Sequence, residues 1–242
     1  QNNALRHKLT DIGERDRVDV ILTNPPFGGE EERGIQGNFP EDKQTSETAL
    51  LFLQLIMRRL HRVPTTAKKS ARAAVVVPNG TLFGDGVCAR IKEELLKEFN
   101  LHTIVRLPNG VFAPYTSIPT NILFFDRSGP TREVWYYEQP LPNGRKNYTK
   151  TAPIQFDEFA DCIKWWGQPG LGTKRKENEC AWKVSAAELL ANGCNLDRKN
   201  PCAKEDITHL PPEQLVADIL KKEERIAEIV STIAELLRKQ SA

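Results

Sequence analysis

Val18-Asp19-Val20-Ile21-Leu22-Thr23-Asn24-Pro25-Pro26-Phe27-Gly28-Gly29 is the stretch on which the reading of this chain turns. Its first six residues are mostly apolar and β-branched. The two prolines then stop them, because proline has no N–H to give a sheet and fixes its own φ. Such a run predicts a buried parallel strand, apolar on both faces, that ends in a rigid corner. A polar loop containing Gly28, Gly29, Gly34 and Gly37 follows as far as Gln44.

Beyond this corner the apolar period changes from continuous to helical. Leu50, Leu53, Ile56, Met57 and Leu60 share one helical face, which predicts a helix from Thr45 or Ser46 to His61, with Ser46 as a candidate cap. Ala73–Val77 reads as a second buried strand, closed by Pro78-Asn79-Gly80. Val87–Glu98 reads as a helix with Ile91, Leu95 and Leu96 inward. His102–Leu107 and Asn121–Phe125 are two further strands, and Val134–Tyr137 an extra one. The 121–125 strand follows a loop with no helix, so an antiparallel placement is expected at that end. Strands alternating with helices in this way indicate an α/β, doubly wound, Rossmann-like sheet. Ligands of such sheets bind beyond the carboxyl ends of the strands, where Asn24 and Asn79 both fall.

The expected domain plan has residues 1–166 as the sheet domain and 167–210 as an irregular connecting segment. Residues 211–242 form a C-terminal amphipathic helix. In that helix Leu215, Ile219, Ile226, Ile229, Ile233 and Leu236 fall close to a heptad seam, interrupted by Lys222. Such a seam can cover a partner helix, or it can pack on its own domain.

Bulk properties exclude more than they identify. No run of about 18 apolar residues is present, so no membrane-spanning helix is expected. The five cysteines are widely spaced with no C-x-x-C pair, and the four histidines stand singly. That spacing argues for reduced thiols in a cytoplasm and against a zinc site or disulfide framework. A net charge of +2 does not identify a nucleic-acid binder. Two short basic stretches, Arg145–Lys150 and Lys174–Lys176, could touch phosphates, although solvated loop charges are the simpler reading. The chain opens at Gln1, without methionine and with little before a buried-type strand. An N-terminal portion removed, missing or carried on another segment is therefore expected.

The Asn-Pro-Pro-Phe corner suits one chemistry in particular. The exocyclic amine of a nucleobase is a poor nucleophile, because its lone pair is conjugated into the ring. Methylating it requires acceptors that hold both amine hydrogens while the nitrogen pyramidalises. The Asn24 side-chain oxygen and the Pro25 carbonyl can serve. Pro25 and Pro26 remove competing donors and stiffen the aim of that carbonyl. Phe27 offers a flat face for the base. Flipping a base out of a duplex costs a few kcal/mol, and one aromatic face returns about 1–3 kcal/mol, so a second ring is expected in the pocket. A rigid turn closing a strand would use the same four residues.

The stretch DVILTNPPFGG resembles the catalytic motif of amino-group DNA methyltransferases, in which N-P-P-[YFW] is typical of adenine modification. Four further blocks, TSETALLFLQLIMRRL, RAAVVVPNGTLFG, IVRLPNGVFAPYTSIPTNILFFDR and CNLDRKNP, are similar in order to the methylation (M) subunit of type I restriction–modification systems. The resemblance spans Val18 to Asn200. It implies an S-adenosylmethionine-dependent methyltransferase fold and an N6-adenine DNA methyltransferase activity. It implies Asn24 and Pro25 on the amine and beside the methyl donor, with Phe27 and Phe112 stacking on the base. Tyr115 is a further loop aromatic that could meet DNA, and Asn121 carries no chemistry. The resemblance also implies S-adenosylmethionine as cofactor, no metal, double-stranded DNA as substrate, and specificity (S), restriction (R) and second M subunits as partners. The S subunit would dock on the C-terminal helix. The chain departs from the family pattern in one respect: no glycine-rich cofactor loop precedes Asn24, and Gly80, Gly84 and Gly86 lack its spacing. Two other readings therefore stay open. The chain could be a non-catalytic assembly fragment, or its activity could be methylation of a glutamine side-chain amide.

Overall fold

The computed structural model describes residues 3–63, 70–142, 144–167, 174–203 and 212–240. Its strands are β1 (Val20–Thr23), β2 (Arg72–Pro78), β3 (Asn100–Arg106), β4 (Thr120–Asp126), β5 (Glu133–Glu138) and β6 (Ala181–Ser185). They make one mixed sheet in the order β1-β2-β4-β3-β5-β6. The helices are α1 (Arg33–Gln36), α2 (Thr48–Arg59), α3 (Val87–Glu98), α4 (Ala160–Trp166), α5 (Ala186–Ala191) and α6 (Pro212–Gln240).

Parallel pairing of β1 with β2 sets Val20 against Arg72 and Thr23 against Val75. β4 runs antiparallel to both β2 and β3, as its helix-free approach requires. The helical stripe of α2 enters the main core: Leu50, Leu53, Ile56 and Met57 meet Val75, Val77, Ile91, Leu95 and Phe125 there. Full burial of each such side chain contributes about 1.5–3 kcal/mol, which outweighs any helix propensity along the segment.

Three local expectations are revised. First, β1 is not buried on both faces. Val20 is 44% and Leu22 77% exposed, because among the described residues only β2 pairs with β1 and nothing covers that side. Second, the cap of α2 is Glu47 rather than Ser46, and no side-chain capping bond forms. The Gly29 carbonyl accepts from the Thr48 amide instead, at 3.4 Å, so a loop carbonyl does the work of a cap. Third, the lead before β1 is more than a polar tail. Leu5, Leu9 and Ile12 form a second core with Ile35, Phe39, Leu51 and Leu55, on the face of α2 turned from the sheet.

Within the segment expected to be an irregular connector, β6 and α5 are regular. β6 pairs antiparallel with β5, and the Tyr136 and Trp182 rings stack at 5.3 Å. The described residues up to Ala203 form one compact unit, and α6 belongs to a second. In α6 the seam residues Leu215, Ile219, Ile226, Ile229 and Ile233 are 44–60% exposed, while Leu236 lies outside the described side chains. None of the described helices is long and apolar enough to cross a membrane.

Candidate active site at the end of the first strand

β1 delivers the Asn-Pro-Pro-Phe corner to the carboxyl end of the sheet. Asn24 and Pro26 are exposed, Pro25 is buried and Phe27 half-buried. The Asn24 side chain makes no hydrogen bond to any described residue, so its amide is free for a ligand. Two glycines with positive φ follow, Gly28 at +68° and Gly29 at +99°, conformations that residues with a Cβ rarely adopt. They bend the chain back to α2, where the Thr48 hydroxyl donates to the Gly29 carbonyl at 3.0 Å. The Glu31 amide is held by the Ser46 carbonyl at 2.8 Å. The corner is therefore clamped on both sides, by β2 before it and by the start of α2 after it.

Phe27 and Phe112 come together across the fold. Their ring centroids are 4.8 Å apart at 81°, an edge-to-face contact. The two rings touch each other, so they form one aromatic pair and not two separated walls with a gap for a base. The Phe112 loop is set by Gly110. At φ +79°, a Cβ there would collide with the Tyr148 carbonyl oxygen and lie 3.0 Å from the Tyr148 nitrogen. The Tyr148 amide donates to the Asn109 carbonyl at 3.1 Å. Tyr148 itself is fully buried and donates its hydroxyl to Glu158. Burial first, then that carboxylate, pushes the Tyr148 phenol up to about 12. Tyr115, 91% exposed, projects from the same loop.

Next to this corner a polar network joins four separated segments. Asn121 is buried, and its amide donates to the Asn79 side-chain oxygen at 3.0 Å. Asn79 reaches Asp197 at 3.4 Å, and Asp197 takes a 2.6 Å bond from Arg106. Together with Gln139, whose buried Oε1 has no partner among the described residues, Asn79, Arg106 and Asn121 bound a cavity of about 540 Å3. Buried Lys92 supports the turn after Asn79 by donating to the Leu82 and Gly84 carbonyls at 3.1 and 3.2 Å. Burial lowers its pKa from the usual lysine value.

Of the residues expected at the site, Asn24, Pro25, Pro26 and Phe27 follow β1 and Phe112 meets Phe27; Thr48, Gly110, Tyr148 and Asp197, which hold the surrounding loops, were not singled out. Gly110 alone carried a local signal, as the glycine of a Pro-Asn-Gly turn. The others act through contacts between distant segments. Gly84 and Gly86 adopt positive φ at the start of α3; a Cβ at Gly84 would meet Cys88 at 3.4 Å, and one at Gly86 would meet nothing within 4 Å.

The mixed sheet, with its Asn-Pro-Pro-Phe corner at a strand's carboxyl end, is that of an α/β methyltransferase fold. A family model for N-6 DNA methylases matches residues 1–209, and the chain belongs to that family. It is 51% identical over 237 residues to the type I restriction enzyme EcoEI methylase subunit of Escherichia coli, covering 98% of this chain and 46% of that one. A crystal structure of a modification subunit from Vibrio vulnificus YJ016, assigned to a type I restriction enzyme, aligns at TM-score 0.78 and 61% identity. That alignment covers 86% of this chain and 43% of the other. The type I restriction enzyme EcoKI M protein aligns at TM-score 0.64 and 25% identity, over 93% of this chain and 50% of that one. The chain thus spans about half the length of these relatives.

Proposed function

We propose that this chain is the amine-gripping part of an adenine-specific DNA methyltransferase, the methylation subunit of a type I restriction–modification system. The observation that carries this reading is a free, exposed Asn24 amide on a doubly clamped corner with two phenyl rings beside it. Asn24 Oδ1 and the Pro25 carbonyl accept the two hydrogens of the exocyclic amine of a flipped adenine. Pro25, buried, holds its carbonyl still, while Phe27 and Phe112 separate to take the base. S-adenosylmethionine, when bound, supplies the methyl group.

The main cofactor loop belongs to the part of the relatives that this chain does not span. Exposed Val20 and Leu22, which share one face of β1, support this, because an element packed on that face would bury them. A longer chain that left Leu22 as exposed as it is here would contradict the assignment. Double-stranded DNA is the substrate. The S subunit docks on the apolar seam of α6, with R and second M subunits completing the complex in the cytoplasm.

The test is Asn24→Ala in the intact enzyme. We expect methyl transfer to fall at least about a hundredfold, in line with losing one preorganised polar contact, while DNA affinity stays within about twofold. Undiminished methylation in that variant would refute the role of Asn24. The contact between the two rings also suits a narrower planar group, such as a glutamine amide, and unchanged activity in Phe112→Ala would favour that reading.

A further inference from the structure

At the opposite end of the strands from Asn24 lies a second cavity, of about 680 Å3, bounded by Asn100, His102, Arg132, Trp135, Arg175 and Lys183. β3 separates the two ends. Asn100 lines this cavity and Arg106 the polar network beside Asn79, six steps at roughly 3.3 Å each, about 20 Å in all. Lys174 also faces the cavity.

Its charges do not balance. Lys183 is paired with Glu133 at 2.9 Å, but Arg132, Lys174 and Arg175 form no ion pair with any described residue. Arg175 is the one of the three whose guanidinium is held by other side chains. It donates to the buried Thr103 hydroxyl at 2.6 Å and lies over the Trp166 and Trp165 rings at 4.4 and 5.2 Å. Those contacts fix the plane of a half-buried guanidinium and use one of its five N–H donors. His102 adds no charge at neutral pH, because burial pushes it down to about 4. Three uncompensated cations around one concavity, one of them a pinned planar fork, match an anion with several acceptor oxygens better than a single carboxylate. The volume is in the range of small-ligand sites, roughly 300–1,000 Å3.

We propose that this cavity is a phosphate site, in which Arg175 receives the phosphate oxygens, Arg132 and Lys174 close over them, and the Trp135 indole walls the attached group. The phosphate comes either from a nucleic-acid backbone or from a free nucleotide. The inference does not depend on the methyl-transfer reading and can fail or hold by itself.

Trp135, Trp165 and Trp166 supply the signal. Their fluorescence in the full 242-residue chain would be followed while pyrophosphate, a nucleoside triphosphate or a short DNA duplex is added. We expect a saturable change that Arg132→Ala with Lys174→Ala weakens about tenfold or more. Both residues are exposed, so the fold should survive. Arg6→Ala with Lys8→Ala removes the same charge from an exposed segment outside both sites and should leave binding unchanged. Response to pyrophosphate and triphosphate identifies a free nucleotide, and response to the duplex alone identifies the backbone. No response to any probe at millimolar concentration would overturn the proposal. So would equal weakening in the control pair, or a polyglutamate peptide binding as well as the phosphates.

Discussion

At the residue scale, the site depends on a few atoms whose freedom or confinement can be altered singly. Phe112→Ala removes one stacking face, worth about 1–3 kcal/mol, so methylation of a flipped adenine should drop about five- to 150-fold. Phe112→Tyr should restore it. Steady-state rates on duplex DNA check this, and unchanged activity in the alanine variant would favour a side-chain amide as substrate. Gly110 matters for a different reason. An alanine there keeps a strained positive φ and meets the Tyr148 backbone, with no flexible side chain to yield. We expect Gly110→Ala to cost about 1–3 kcal/mol, read as a loss of about 2–4 °C in Tm per kcal/mol. Activity should fall further than stability alone explains, because the Phe112 loop moves with it. An unchanged Tm would mean that the loop relaxes freely.

At the element scale, α6 and the sheet belong to different units, and each can be altered by substitution. The described seam residues of α6 are exposed, and α6 belongs to a different unit from the sheet. Ile226→Glu with Ile233→Glu should therefore leave the main thermal transition within about 1 °C, in keeping with surface substitutions of roughly 0.5 kcal/mol or less. The same pair should abolish co-elution with the specificity subunit on size exclusion. Retained co-elution would place the docking surface elsewhere. α2 is the contrasting case. It buries Leu50, Leu53, Ile56 and Met57 on one side and Leu51 and Leu55 on the other, so a charge on either face would break a core.

For the whole molecule, half-buried His102 links stability to pH. Burial, the dominant cause, holds its folded pKa near 4 against an ordinary 6.5. The unfolded chain then binds a proton between those values that the folded chain does not. The stabilisation is complete above pH 6.5 and is lost as pH falls toward 4. Denaturant melts of wild type and His102→Phe across pH 4 to 6.5 check this, and the variant should show the flatter profile. Equal slopes would mean that His102 titrates normally.

Read alone, the amino-acid sequence determined the alternation of strands and helices, the helix-facing apolar stripes, the antiparallel entry of Thr120–Asp126 and the rigid corner at Asn24. All of these follow from local periodicity and from the fixed φ of proline, properties carried by neighbouring residues. It also brought Phe27 and Phe112 under suspicion as partners, but only the tertiary structure decided that the rings meet edge to face. The exposure of Val20 and Leu22, the regular pairing of Ala181–Ser185 and the joining of Asn79, Asn121, Arg106 and Asp197 were likewise decided in three dimensions. Each depends on which surfaces the rest of the chain covers, and a residue's own neighbours in sequence carry no record of that.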